Sequence, residues 1–163
     1  MRNRGVDILK NKLLILIITI ILIISTGCTN IKLSLNKEKS QINYYSQELI
    51  SNINKTEPTR ISVFYREFFK EFDFPETESK DIISFLNTLD ESYFIEKPSD
   101  LPETYKYKVY IEFVDKKYAI NIFNEKYISI YSWDGKYEVD YVNITEVPTS
   151  YNLYGICKYF TEE

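Results

Sequence analysis

The sequence predicts an α+β domain: an antiparallel meander sheet of four to six strands with helices packed on one face. Three observations carry this. Residues 105–141 alternate apolar and polar side chains in short runs, the period of strands. Apolar residues recur three and four apart within 40–53, 75–89 and 148–160, the period of helices buried along one stripe. The dipeptide Asp134-Gly135, set between alternating runs, is a strong signal for a two-residue type I′ hairpin.

The elements follow in order. From Ser40 to Ile53 a helix presents Ile42, Tyr45, Leu49 and Ile53 on one face. A loop containing Pro58 follows. Arg60 to Phe74 is rich in β-branched and aromatic residues and reads as one strand, bent or bulged near Glu67. Pro75 to Leu89 is a helix with Thr77 or Ser79 as its cap and Ile82, Phe85, Leu86 and Leu89 as its buried stripe. A short strand at Tyr93–Glu96 and a loop through Pro98 and Pro102 lead into the meander.

In the meander, Tyr105, Tyr107, Val109, Ile111 and Phe113 face the core, a turn at Asp115-Lys116 leads to Tyr118, Ile120 and Ile122, and Ile128 and Ile130 follow. For Ile122 and Ile128 to share a face, the loop between them must hold an odd number of residues, Asn124 to Lys126, because a one-residue slip inverts a strand. A two-residue loop at Asp134-Gly135 then pairs Ile130 with Val139 and Ile128 with Tyr141. A last helix from Pro148 to Phe160 points Leu153, Ile156, Cys157 and Phe160 at the core. Gly155 within it implies close approach of another backbone.

Composition narrows the chemistry. The chain has 163 residues, no His, 2 Cys, and 20 basic against 24 acidic residues, a net charge of −4. Without His there is no Ser-His-Asp triad and no imidazole proton relay. Two Cys exclude a disulfide scaffold. An acidic pI near 5.1 excludes the basic face that nucleic acid requires. With 15 Tyr, 10 Phe and 1 Trp, the chain is built to pack rather than to stay disordered.

The N-terminus is a targeting segment. Arg2, Arg4, Lys10 and Lys12 precede an apolar run from Leu13 to Ile24, then Ser25-Thr26-Gly27-Cys28. Twelve helical residues span about 18 Å, short of the roughly 30 Å hydrocarbon core, so the run fits a signal peptide over 1–27. Its end resembles the lipobox of bacterial lipoproteins, although Ser25 stands where that family usually has Leu. The resemblance implies a diacylglyceryl group on the Cys28 thiol, palmitate-type acylation and cleavage before it. It also implies a cell-membrane location on the extracytoplasmic face, with the membrane as partner through that lipid. Cleavage removes four of the 20 basic and one of the 24 acidic residues, leaving 16 and 23, a net −7. Residues 28–39 read as a tether and 40–163 as a single α+β domain. In layout and in its Ile-, Asn-, Lys- and Tyr-rich composition the chain resembles small lipoproteins of clostridia, Gram-positive bacteria.

Candidate sites lie on the outer face of the meander. Tyr110, Phe123, Tyr127, Tyr131 and Trp133 stand there with Lys106, Lys108, Glu112, Glu138 and Asp140. Aromatic rings flanked by carboxylates suit sugars, peptides or cationic groups, and the tentative binding set is Tyr110, Phe123, Tyr127, Tyr131, Trp133, Glu138 and Asp140. The helix of residues 40–53 is the element that could cover this face instead. The expected function is a non-catalytic binding or protein-interaction module contacting an envelope protein or ligand, an inhibitor or immunity-type protein being one form of it. No catalytic residue, cofactor or metal is expected. The alternative is a small envelope hydrolase using Glu112, Glu138 or Asp140. Cys157, on a core-facing helix stripe, is read as a buried hydrophobe rather than a nucleophile.

Overall fold

The computed structural model describes Lys12, Lys39 and residues 41–162. Apart from those two lysines, the segments expected as signal peptide (1–27) and tether (28–39), with Cys28, lie outside the described residues.

The described residues from 41 to 162 fold into three α-helices and seven strands. In order they are α1 (Tyr44–Ile53), β1 (Arg60–Tyr65), β2 (Lys70–Asp73), α2 (Glu76–Thr88), β3 (Phe94–Ile95), β4 (Tyr107–Glu112), β5 (Lys117–Ile122), β6 (Tyr127–Ser132), β7 (Asp140–Asn143) and α3 (Leu153–Glu162). The strands form one antiparallel sheet in the order β2-β1-β4-β5-β6-β7-β3. The sheet has seven strands rather than four to six because Arg60–Phe74 is a hairpin, not one bent strand. A four-residue turn, Arg66–Phe69, separates its arms, and Phe69 closes it at φ 51°.

One sheet face is the core. Val63, Val109, Ile111, Ile120, Ile122, Ile128, Ile130 and Val142 are fully buried there against Leu49 of α1, Ile82, Phe85 and Leu86 of α2, and Leu153 and Cys157 of α3. Alternation along each strand explains the layer, since every second residue meets the helices. The crossover through α2 carries the chain from β2 at one edge to β3 at the other.

The odd loop before β6 is present. Ile122 pairs with Ile128 and Ile120 with Ile130, and Phe123 N–H donates to Tyr127 O at 3.0 Å around Asn124–Lys126. The Asn124 side chain accepts from the N–H groups of Lys126 and Tyr127, which fixes the turn.

The two-residue turn expected before β7 is absent. Residues 133–139 form a seven-residue connection, Ile130 pairs with Asp140, and Ile128 pairs with Val142. This is one residue from the expected register, so Asp140 and Val142 face the core and Tyr141 does not. No glycine among the described residues has positive φ. Gly135 serves another need: a Cβ there would lie 2.8 Å from both Ser132 O and Tyr45 Cζ, with the Tyr45 hydroxyl nearer still.

The helix ends also differ in detail. α1 starts at Tyr44, leaving Ile42 exposed. α2 starts after Pro75 with no side-chain cap, and Ser79 Oγ instead donates to Phe74 O. A single 3-10 turn, Thr149–Tyr151, follows Pro148, and Asn152 Oδ1 accepts from Tyr154 N–H at the start of α3.

Candidate functional site: the open face of the sheet

Among the described residues all three helices pack on the core side, so α1 does not cover the opposite face. That face is floored by small residues. Ser62, Ala119 and Ser129 are buried, and Ala119, the chain's only alanine, pairs with Tyr110 on one side and Tyr131 on the other. The small floor lets the two tyrosines lie over it, each half-buried.

Around this row the side chains interleave rings and cations. Trp133, 59% exposed, stands edge-on to Tyr110 with centroids 5.9 Å apart. Lys117 Nζ sits 4.1 Å from the Tyr110 centroid and 5.5 Å from that of Trp133, and donates to Glu112 at 2.8 Å. Arg60 joins from β1 with nitrogens 2.7 Å from Glu71, 2.5 Å from Asp73 and 3.4 Å from Glu112. The Lys117 hydrogen bond, against some desolvation, holds the Glu112 carboxyl below its usual range. Lys108 is placed differently. It lies 4.4 Å from the Tyr105 centroid and 5.9 Å from that of Tyr131, with no carboxylate in ion-pair range among the described residues. Burial opposes its charge, but the tyrosine oxygens outweigh burial and raise its pKa. A cation held against rings in this way is attracted to their negative faces.

The structure gathers some of the expected residues and disperses others. Tyr110, Tyr131 and Trp133 meet on the open face, and Phe123 lies half-buried at the end of the same side of β5. Tyr127 is buried, its hydroxyl donating to Asp100 at 2.8 Å, because the segment linking β3 to β4 folds across it. Glu138 is exposed in the 133–139 connection and faces no tyrosine across a ladder. Lys106 turns off the face to reach Glu162 at 2.8 Å.

Asp140 is on the helix side and fully buried, a correction that follows from the register of β7. Its Oδ2 accepts from Ser46 N–H at 2.7 Å and from Ser46 Oγ at 2.9 Å, and its Oδ1 lies 2.7 Å from Lys39 Nζ. Burial raises its pKa, and Lys39 and Ser46 pull against that. Glu112 and Asp140 therefore stand on opposite faces, with Glu138 off the sheet, so the three carboxylates do not form a pair around one substrate. Cys157 is fully buried, and desolvation raises its thiol pKa far above the ordinary range.

One cluster has no counterpart in the sequence reading. Glu162 Oε1 accepts from Lys106 Nζ at 2.8 Å, Tyr107 Oη at 2.6 Å and Tyr65 Oη at 3.1 Å. These bonds, led by Lys106, bring the Glu162 carboxyl down to about 2. Its members come from β1, from β4 and the residue before it, and from α3, so no local spacing announces it. Tyr105 and Lys117 were likewise missed as members of the open face, since alternation assigned Tyr105 to the core.

The family described as domain of unknown function DUF4883 matches residues 39–157, and the chain belongs to it. Among solved structures, the chain is similar to a candidate lipoprotein from Clostridium perfringens, with 26% identity and a TM-score of 0.68, over 77% of this chain and 100% of that one. No curated protein matches the chain.

Proposed function

We infer that this protein is a lipid-anchored, extracytoplasmic and non-catalytic contact module of a Gram-positive cell envelope. It would be held by a diacylglyceryl group on Cys28 and bind an envelope partner through the open face of its sheet. The observation that carries the binding part is that face itself. Tyr110, Tyr131 and Trp133 stand together on the side away from every described helix, with Lys108 and Lys117 against their rings. Tyr and Trp are among the residues in which interface centres are enriched. The anchor is supported by the lipobox resemblance and by the candidate lipoprotein that shares the fold.

Two experiments test the two halves. Metabolic labelling with a fatty-acid analogue should label the native chain and not Cys28→Ala; label persisting in the variant rejects the anchor. Crosslinking of the anchored chain in its native membrane should yield a discrete adduct that is lost in Trp133→Ser/Tyr131→Ser and kept in Ile42→Ser. An adduct indifferent to the open-face changes rejects the contact surface.

A further inference from the structure

We propose that the tip of the β1–β2 hairpin, residues 66–70, is a membrane contact that seats in the anionic headgroup layer of the bilayer. The proposal rests on the anchored reading above and adds a second, non-covalent point of attachment.

Phe68 and Phe69 are adjacent on the turn and 62% and 80% exposed. Phe69 holds φ 51°, a left-handed conformation that Gly or Asn adopts easily and a bulky residue does not. The turn thus carries a large ring where backbone geometry favours a small residue. Phe68 leans on Tyr65 and Phe69 on Phe64, with centroids 5.1 and 6.2 Å apart, so both rings are supported from behind while their outer surfaces meet solvent.

The unpaired charge around them is mainly positive. Glu71 pairs with Arg60 at 2.7 Å, while Glu67 accepts the neutral Tyr65 hydroxyl at 2.8 Å and keeps its own charge, one carboxylate against two cations. Arg66 lies over the Tyr105 ring at 5.7 Å, and neither Arg66 nor Lys70 has a carboxylate in ion-pair range among the described residues. In an anchored chain of net charge −7 after cleavage, this places two cations without an ion-pair partner beside two exposed rings. That pairing matches an anionic interface, where rings enter the acyl boundary and cations meet phosphate.

Size decides between a bilayer and a protein. A stable protein contact takes roughly 800 Å² from each partner, far more than a convex four-residue turn offers. A tip on an anchored chain needs little affinity, because the tether already supplies a high local concentration. The reach is sufficient. Lys39 is pinned to Asp140, which lies in the same cross-strand row as Val63 of β1. Four strand spacings, about 19 Å, separate β1 from β7, whereas residues 29–38 extend up to about 36 Å. The overall acidity still opposes broad contact, which restricts attachment to this corner.

The test places a single Trp at the tip, Phe69→Trp in a Trp133→Phe background, with Phe68→Trp as a second probe should the first misfold. The full lipidated chain is incorporated into vesicles with phosphatidylglycerol or with phosphatidylcholine alone, each with or without lipid brominated near the headgroup. The expected result is blue-shifted emission quenched by at least half in the phosphatidylglycerol vesicles, and a twofold or greater loss of that quenching in Arg66→Glu/Lys70→Glu. Flotation with the vesicles but water-like, unquenched emission overturns the tip contact and leaves the anchor standing. Equal quenching in uncharged vesicles overturns the headgroup recognition. Failure to float removes the anchor and this proposal with it. Shielding that arises only after membrane proteins are added assigns the tip to a protein and overturns the proposal.

Discussion

The Tyr45 hydroxyl occupies the place where a side chain on residue 135 would begin. It accepts the Tyr137 N–H at 2.7 Å, so a residue of α1 shapes the connection between β6 and β7 ninety positions later. Gly135→Ala must displace that ring or the Ser132 carbonyl, and overpacking of this kind costs about 1–3 kcal/mol. Urea unfolding should show the loss. The loss should shrink in a Tyr45→Ala background by at least about 0.5 kcal/mol, the coupling expected of residues in contact.

Gly155 carries the opposite expectation. Only Thr149 O, at 3.7 Å, comes near its missing Cβ, an ordinary contact rather than the close backbone approach its helix position implied. Gly155→Ala should therefore stabilise α3 by about 0.5–1 kcal/mol. A fall in thermal midpoint would refute this.

The Glu162 cluster sets an acid limb. A carboxyl held at about 2 contributes stability above its unfolded value of 4.5, and that stability is lost as pH falls towards 2. Asp140 works in the other sense. Its raised pKa makes its contribution complete below the unfolded value of 3.8 and lost as pH rises through the folded one. Unfolding free energy measured from pH 6 to 2 should fall less steeply in Glu162→Gln and more steeply in Asp140→Asn than in the native chain.

Alkali probes the same cluster. Hydrogen bonding to Glu67, with desolvation, raises the Tyr65 phenol to about 12, so above pH 10 the unfolded chain ionises a group the folded chain keeps neutral. Stability should fall from pH 10 to 12, and Tyr65→Phe should remove part of that slope.

Cys157 offers a reporter of opening. Its thiol is fully buried with its pKa raised by desolvation, so a thiol reagent should label it only at denaturant concentrations that unfold the sheet. Labelling of the native fold at neutral pH would contradict the packing of α3.

What could be read from the sequence follows from how local each cause is. The β5–β6 register was legible because Ile120, Ile122, Ile128 and Ile130 share one periodicity and a short loop. The β6–β7 register was not, because Asp134-Gly135 matches a type I′ turn and Tyr137, Val139 and Tyr141 alternate convincingly. The deciding partner, Tyr45, is remote in the chain. Asp140 was misplaced for the same reason: one residue of slip turns a solvent-facing carboxylate into a buried one. The open face was legible in Tyr110, Tyr131 and Trp133, while Tyr105 and Glu162 depend on segments that meet only after folding.

The strand order sets the tempo of folding. β3 has no neighbour but β7, and the tyrosines of β1 and β4 close on a carboxylate near residue 160. Both contacts join segments far apart in sequence, so loop entropy must be overcome before they form. A chain emerging N-terminus first would hold an incomplete sheet edge and an unlatched core until α3 arrives. Folding should therefore be a late, all-at-once event of milliseconds to seconds rather than a stepwise one.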